Sequence, residues 1–250
     1  MRRSFYRGVL AALLLSVASF AAEAQQATMP LPNGLYLGAE AGLIIPQSIS
    51  IHGSGISGGS LIGAKGDLNL ETGPAAGIIF GGHVNPAFAV EANLEYASMD
   101  LNSITGTFTT SGPPPAAFSG TIGLKGDFRT WNMLVNAIWT PFGAGSWNGF
   151  SPYIGAGVGV SLLHESLTSI TALGTTVAGS ANDNQTNFAA NGILGFDFMV
   201  MPQLSVGARY RLLFINTASG SAGNGSPSQL FGQMGNFWGH VLTANATWHF

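Results

Sequence analysis

The chain has 250 residues, a formal net charge of −3, only 8% charged residues and 36 glycines. Eight Lys and Arg against eleven Asp and Glu leave no basic patch that could hold a nucleic acid, so we exclude that class of partner. Because the chain has no cysteine, a disulfide framework, a thiol nucleophile and a thiolate metal site are excluded as well.

The N-terminal segment has the composition of a secretory signal peptide. A basic start precedes the apolar run 8–20, which is shorter than the ~20 residues that a membrane-spanning helix needs. Ala22 and Ala24 then supply the small side chains of a cleavage site before Gln25. We therefore predict that residues 1–24 are a signal peptide for export. The alternative is an N-terminal membrane anchor, which the short apolar run disfavours.

We predict that residues 25–250 form one domain, in which apolar and polar side chains alternate with the period of β-strands. The eight predicted strands are, in chain order, 35–45, 75–84, 88–98, 130–139, 152–162, 188–198, 204–214 and 239–250. Between them, long segments rich in Gly and Ser alternate with short turns such as Asn85-Pro86 and Met201-Pro202.

This regular change in connection length predicts the architecture. We expect an all-β protein: an eight-stranded antiparallel transmembrane up-and-down β-barrel with four long extracellular loops and short periplasmic turns. The alternative, a secreted β-sandwich, has no reason to keep its long loops at one end. Aromatic residues near the strand ends fit girdles at the two membrane interfaces: Phe88, Trp139, Phe198, Trp248 and Phe250 on one side, Trp131 and Trp238 on the other.

Three stretches carry a family resemblance. The segments 34–38 (Gly-Leu-Tyr-Leu-Gly) and 152–159 (Pro-Tyr-Ile-Gly-Ala-Gly-Val-Gly), with the terminal Phe250, resemble the small OmpA-like and opacity-type outer-membrane proteins, the porin-family surface barrels. The resemblance implies a location in the outer membrane of a Gram-negative bacterium, among its lipids and lipopolysaccharide. It also implies that Phe250, with Trp248 and Ala246, is the signal by which the barrel-assembly machinery recognises the C-terminal strand.

Six charged side chains are predicted to point into the barrel: Glu40, Glu91, Glu95, Asp197, Arg209 and Arg211. Because an eight-stranded barrel is filled by side chains, buried charges there must be paired. We favour a structural network in which Glu40 and Glu95 pair with Arg209 and Arg211. The alternative is that the same charges constrict or gate a narrow pore.

Candidates for chemistry are few. His164-Glu165-Ser166, at the predicted start of the third long loop, contains a His-x-Ser pair of the kind used for acyl transfer to lipid A, but no third partner accompanies it. The other histidines have no spacing that indicates a metal site: His52, His83, His240 and His249. We therefore predict no catalytic residue, no cofactor and no metal.

Two glycine-containing motifs have a structural and a functional interpretation. Lys65-Gly66-Asp67 and Lys125-Gly126-Asp127 repeat one motif in the first two long loops, where we expect a shared turn and keep binding to a host receptor as the alternative. Gly155, Gly157 and Gly159 are interpreted as space for inward side chains, because they lie within a strand and lack the ending of a phosphate loop.

The predicted function is a non-enzymatic role in envelope structure and as a surface antigen, with loops available to host or surface ligands. One alternative is a small low-conductance porin, or a channel for small hydrophobic solutes. A second alternative is an outer-leaflet enzyme that modifies lipid A.

Overall fold

The computed structural model describes residues 34–57, 60–110, 116–143, 148–172, 175–217 and 233–250. The predicted signal peptide, with Ala22, Ala24 and Gln25 at its cleavage site, lies outside these residues. The described chain forms eleven strands: β1 (Leu35–Pro46), β2 (Ile49–Ser57), β3 (Ser60–Leu70), β4 (Gly73–Asn85), β5 (Phe88–Thr110), β6 (Ala116–Trp139), β7 (Phe150–Ala172), β8 (Thr175–Met201), β9 (Leu204–Ile215), β10 (Gln233–Met234) and β11 (Phe237–His249).

Eight of these strands close into a ring. The order is β1, β4, β5, β6, β7, β8, β9, β11 and back to β1, and every neighbouring pair is antiparallel. The last strand closes the barrel, since β11 pairs with β9 (Trp248↔Leu204) and with β1 (Leu37↔Trp248). The predicted eight-stranded antiparallel barrel is therefore confirmed, together with both neighbours of the C-terminal strand.

The two ends of the barrel differ. One end carries short connections, such as that from β4 to β5, where the Asn85 side chain accepts hydrogen bonds from the backbone N–H groups of Ala87 (2.9 Å) and Phe88 (3.0 Å). Leu35 and Phe250 lie at the same end, where the Phe250 N–H donates to the Leu35 carbonyl at 3.0 Å. We call this the turn end and the opposite one the loop end.

The wall of the barrel is apolar outside and polar inside. On β6, the outward Trp131, Met133 and Val135 are 47%, 45% and 58% exposed, whereas the inward Asn132 and Asn136 are buried. The same alternation around the ring produces a continuous apolar belt. Exposed aromatic residues stand at its two edges: Phe88, Trp139, Trp248 and Phe250 towards the turn end, Trp131 and Trp238 towards the loop end.

Towards the loop end the polarity of the two faces reverses: the inward side chains become apolar and the outward ones polar. On the upper part of β6, Phe128 and Leu124 point inward and are buried, whereas Arg129 and Lys125 point outward and are exposed. Strands β5 to β8 continue in this way past the apolar belt, so the strands predicted at 88–98, 130–139, 152–162 and 188–198 are too short. Their upper parts look like loops in the sequence because their polar side faces outward.

The sheet above the belt has a different set of neighbours, and we call it the extension. β4 pairs with β5 as far as Ala75↔Ala97, and β3 replaces it from Leu70↔Leu101 to Ile62↔Thr110. β2 pairs with β3, and the short β10 pairs with β2. Segments predicted to be loops therefore form regular strands.

An apolar cluster fills the interior of the extension. The rings of Phe128 and Phe237 stack at its base with centroids 5.5 Å apart, and both side chains are fully buried. A cavity of about 30 Å³ lies within the cluster and is lined mainly by Ile, Leu and Met side chains, with Glu165 at its wall. That volume holds one or two water molecules and is far below the about 150 Å³ that accommodates a benzene ring.

Candidate functional site

The charged side chains of the barrel interior come from strands that face each other. Strand periodicity of two points Glu91 and Glu95 inward from β5, and Arg209 and Arg211 inward from β9. β5 and β9 are four places apart in the ring of eight, so they lie on opposite sides of the barrel. Glu40 joins them from β1. All five side chains belong to residues that are only 1–4% exposed.

Arg209 forms the first centre of this network. Its Nη1 and Nη2 donate to the Oε2 and Oε1 atoms of Glu91, each at 3.0 Å, which is the bidentate geometry of a strong charge-assisted pair. The Arg209 Nε donates to the Tyr153 hydroxyl at 3.0 Å, and the Tyr36 hydroxyl donates to Glu91 Oε1 at 3.0 Å. One ion pair is thus held from β1, β5, β7 and β9.

Two glycines make room for these tyrosines. Tyr36 lies opposite Gly81 in the β1–β4 register, and Tyr153 lies opposite Gly195 in the β7–β8 register. A Cβ at Gly81 would stand 2.6 Å from Tyr36 Cε2, and one at Gly195 would stand 2.6 Å from the Tyr153 hydroxyl oxygen. Each tyrosine ring therefore covers a strand that lacks a side chain at that point, which directs its hydroxyl into the network.

Arg211 forms the second centre. Its Nη2 pairs with Glu40 Oε1 at 2.8 Å and also contacts Glu95, while its Nη1 donates to Asn93 Oδ1 at 2.8 Å. Asn93 in turn donates to Glu40 at 2.8 Å. Further donors satisfy the remaining carboxylate oxygens: Asn132 to Glu95 at 3.0 Å and Thr243 to Glu40 at 3.2 Å.

The pairing differs in detail from the predicted one. Arg209 pairs with Glu91, and only Arg211 reaches Glu40 and Glu95. Asp197 also points inward but accepts a hydrogen bond from Asn245 at 2.7 Å instead of pairing with an arginine. Five polar side chains that were not predicted complete the network: Tyr36, Asn93, Asn132, Tyr153 and Thr243. Their inward phase in the alternation was the available signal.

This arrangement has a structural role, because its ion pairs connect opposite walls of the barrel. Guanidinium groups keep their charge at any physiological pH, and the carboxylates opposite them are occupied by hydrogen bonds. Removing one partner would leave an unpaired charge in the barrel, which is the costly outcome for a buried ion pair.

The stretch His164-Glu165-Ser166 does not converge on one point. It lies in the middle of β7 and not at the start of a loop, because β7 runs on to Ala172. His164 and Ser166 share the outward face, and the His164 Nδ1 lies 2.7 Å from the Asn184 Oδ1. Glu165 points the opposite way and is buried inside the extension. Alternation along the strand therefore separates the acid from the other two side chains.

The repeated Lys-Gly-Asp motifs are not turns. They lie inside β3 and β6, the two strands that flank the upper part of β5, so the prediction of a shared turn is wrong. At Gly66 the absence of a side chain serves close packing, because its neighbour across the sheet is Gly106. The glycine run in β7 likewise serves packing: a Cβ at Gly157 would stand 2.7 Å from the Asn191 Oδ1.

The remaining predicted positions are at the surface or near the turn end. Ala246, Trp248 and Phe250 point outward, and Phe250 is 69% exposed. His83 and His249 come together at the turn end with ring centroids 6.4 Å apart. In the described part of the chain, no group of three or more His, Cys, Asp or Glu side chains is placed to hold a metal ion. Across the same residues, no helix has the length and apolar character needed to span a membrane.

Comparison with known proteins places the chain in a family. None of the curated proteins matches it. Among solved structures it is similar to Neisserial surface protein A (16% identity, 86% of this chain and 97% of that chain, TM-score 0.46) and to the outer membrane protein OprG from Pseudomonas aeruginosa (14%, 87% and 97%, TM-score 0.47). A third is Ail of Yersinia pestis, in complex with the heparin analogue sucrose octasulfate (11%, 86% and 99%, TM-score 0.40).

The family described as outer membrane protein beta-barrel domain matches residues 9–250, which is nearly the whole chain. Its description agrees with the closed ring of eight antiparallel strands and with the apolar belt around it. The chain belongs to the outer membrane protein β-barrel domain family and is a protein of the bacterial outer membrane.

Proposed function

We propose that this protein is a closed, non-enzymatic barrel that supports the outer membrane and presents a rigid surface to the outside. The observation that carries the proposal is the bidentate pair of Arg209 and Glu91, which joins strands on opposite sides of the barrel. A pair in this position occupies the middle of the interior, where a permeating ion would have to pass.

The second level of closure is apolar. The stacked Phe128 and Phe237 lie nearer the loop end than the ion pairs, in the apolar interior of the extension. An ion crossing the barrel would meet this layer after the charged one, and transfer of a charge into an apolar layer is unfavourable by several kcal/mol or more. The small cavity in the extension gives a solute no continuous path.

The outside of the extension supports the surface role. Its outward side chains are hydroxyl and charged groups that bond to each other across the strands, as in the pairs Thr105–Thr121 (3.2 Å) and Thr107–Ser119 (3.0 Å). Such a face is compatible with water and with sugar headgroups. We propose that it is the part available to host or surface ligands, and that Ala246, Trp248 and Phe250 at the other end are read by the barrel-assembly machinery.

Planar-bilayer recording of the purified, refolded protein tests the proposal. The wild-type protein should give no discrete conductance steps. Arg209→Ala combined with Phe128→Ala, which removes both levels of closure, should introduce them or raise the leak. Arg129→Ala is the matched control, because it removes an outward arginine whose salt bridge to Asp127 (3.1 Å) is solvent-exposed. Reproducible channels in the wild-type protein would contradict the closed barrel and support the porin alternative.

A lipid A test addresses the enzymatic alternative. Mass spectra of lipid A from cells with and without the protein should be identical. A mass difference that disappears in a His164→Ala, Ser166→Ala double variant would overturn the non-enzymatic assignment. The separation of Glu165 from His164 and Ser166 by strand alternation supports the expected result.

A further inference from the structure

A chain of polar side chains lies on the outer, lipid-facing wall of the barrel. The Tyr210 hydroxyl is 2.7 Å from the Nδ1 of His240, and the Nε2 of His240 is 3.0 Å from the Nε2 of Gln47. The rings of Tyr210 and His240 stack with centroids 5.9 Å apart. We call Tyr210, His240 and Gln47 the polar triad. It bridges β9, β11 and the residue that follows β1, and these three strands are neighbours at the closure of the barrel.

The surroundings of the triad are apolar. Phe214 and Trp238 form a ring pair at 4.8 Å on the side towards the loop end. Leu212 and Ile45 are the cross-strand neighbours of His240, and Leu242 lies next to Tyr210 and is 47% exposed. The triad therefore stands at the edge of the apolar belt, level with or just below the aromatic girdle of the loop end. Polar groups at such a depth carry a cost that only a partner removes.

The triad has more hydrogen-bond donors than its own members can accept. Gln47, His240 and Tyr210 together carry more N–H and O–H hydrogens than their two mutual contacts use, whichever way the amide is turned. With the amide as placed, the Gln47 N–H donates to His240 Nε2, the proton of the imidazole sits on Nδ1 and donates to the Tyr210 oxygen, and the phenolic hydrogen is left over. Within the described residues these side chains make no third side-chain hydrogen bond, so this donor is available to a group outside the protein.

We propose that the polar triad is a binding site for one lipid A molecule of the outer leaflet. The inference rests on the location in the outer membrane and is independent of whether the barrel is closed to ions. Lipid A carries phosphate, ester and amide oxygens at the depth of the aromatic girdle, and these acceptors complement the spare donors of the triad. The outer leaflet of this membrane consists mainly of lipopolysaccharide, so lipid A is the acceptor-bearing molecule that meets the wall at this height.

The wall below the triad fits acyl chains. Ala41 on β1, Ala244 on β11 and Ala208 on β9 are in register and form a row of small outward side chains. Larger residues lie above this row, among them Leu43 and Leu242, so the row is a shallow depression running along three strands. A lipid whose head accepts hydrogen bonds from the triad would place its chains over this depression.

Native mass spectrometry of the full chain in detergent, titrated with purified lipid A, tests the proposal. The wild-type protein should retain one lipid A molecule at saturation. Tyr210→Phe should weaken the apparent affinity about five-fold, the effect of losing one hydrogen bond. His240→Leu should also weaken it, because it removes the ring that fixes the Tyr210 hydroxyl and the Gln47 amide in place. The matched control is Tyr96→Phe: Tyr96 is also an outward girdle tyrosine, with its ring 4.9 Å from Trp131, but it has no hydrogen-bonded partner in the described part of the chain.

Heat-modifiable migration in gels first establishes that each variant is folded. Tyr210→Phe should fold normally, because it removes a single oxygen atom from a half-buried residue. Unchanged affinity for lipid A in both triad variants would overturn the proposal. Equal binding of phosphatidylethanolamine with the same loss in the variants would also overturn it, because the site would then select any lipid. A dimer that the triad variants abolish would instead assign the triad and the alanine row to a contact between two copies.

Discussion

Arg209 and Glu91 are joined by two parallel hydrogen bonds of 3.0 Å although their strands stand on opposite sides of the barrel. The distance between the walls is bridged by two side chains, and each is only 3–4% exposed. Both hydrogen-bonding edges of the pair are extended by tyrosines from other strands. At this level, a bidentate ion pair thus connects opposite walls of the barrel across its interior.

Arg209→Ala should lower the free energy of unfolding by about 3–5 kcal/mol, because it leaves the Glu91 carboxylate buried without its partner. Urea titration of the barrel in lipid vesicles, followed by tryptophan fluorescence, measures this change. Arg129→Ala is the control and should stay within about 1 kcal/mol, since its salt bridge is exposed. Equal stability of the two variants would contradict a bracing role for the network.

Replacing both members of the pair should cost less than replacing one. In Glu91→Gln combined with Arg209→Met, neither side chain carries a charge, so the large penalty for an unpaired charge is absent. We expect the double variant to be more stable than Arg209→Ala by about 1–3 kcal/mol in the same titration. If the loss in the double variant equalled the sum of the losses in Glu91→Gln and Arg209→Met alone, the two residues would not be coupled.

Gly81→Ala should destabilise the barrel by about 1–3 kcal/mol, because the new methyl group would overlap the ring of Tyr36, whose hydroxyl is fixed to Glu91. Gly192→Ala is the matched control on another barrel strand, where an added Cβ would meet no atom within 4 Å. Thermal unfolding by the gel-shift assay compares the two. If Gly192→Ala were the more harmful change, backbone conformation and not the tyrosine contact would be the reason.

Phe128→Ala should open the extension without opening the lower barrel. The buried ring stacks on Phe237, and its loss should cost about 3–5 kcal/mol locally. Hydrogen exchange with peptide resolution should show faster exchange for 116–128 and little change for 132–139. Trp131→Ala, three residues away and pointing outward, should leave both regions unchanged in exchange. Uniform acceleration along the whole of β6 would show that the extension and the barrel open as one unit.

Phe250→Ala should reduce the amount of assembled barrel in cells while leaving refolding of the purified protein nearly unchanged. The residue is 69% exposed at the turn end, so it contributes little to packing. Phe88→Ala, an exposed aromatic at the same end, is the control for loss of a girdle residue. Quantifying folded and unfolded bands from membranes and from refolding reactions separates the two effects. Equal losses in both settings would assign Phe250 a structural role instead.

Much of the barrel wall follows from the sequence because membrane and interior impose opposite chemistry on alternate residues. Trp131, Met133 and Val135 against Asn132 and Asn136 predict both the strand and its orientation. The same rule fails above the belt, where water replaces lipid outside. There the period of two continues, but the outward Arg129 is polar and the inward Phe128 is apolar. A prediction that requires outward apolar residues therefore ends the strand at that point.

The membership of the interior network was likewise visible as a set of inward charges, but its pairing was not. Which arginine meets which carboxylate depends on the stagger between β5 and β9, and those strands are not neighbours in the sheet. The tyrosines that complete the pair depend on glycines on adjacent strands, as at Tyr36 and Gly81. Such relationships arise from the closure of the ring and from the register of each strand pair, which no single stretch of sequence contains.

The exchange of β4 for β3 beside the upper half of β5 has an immunological consequence. Side chains that are neighbours on the outside of the extension, such as those of Asp67, Thr105 and Thr121, come from three separate strands. An antibody that binds this surface would contact residues far apart in the chain. Linear peptides copied from any one of these strands should therefore be poor immunogens for the native cell surface, and the refolded barrel should be an effective one.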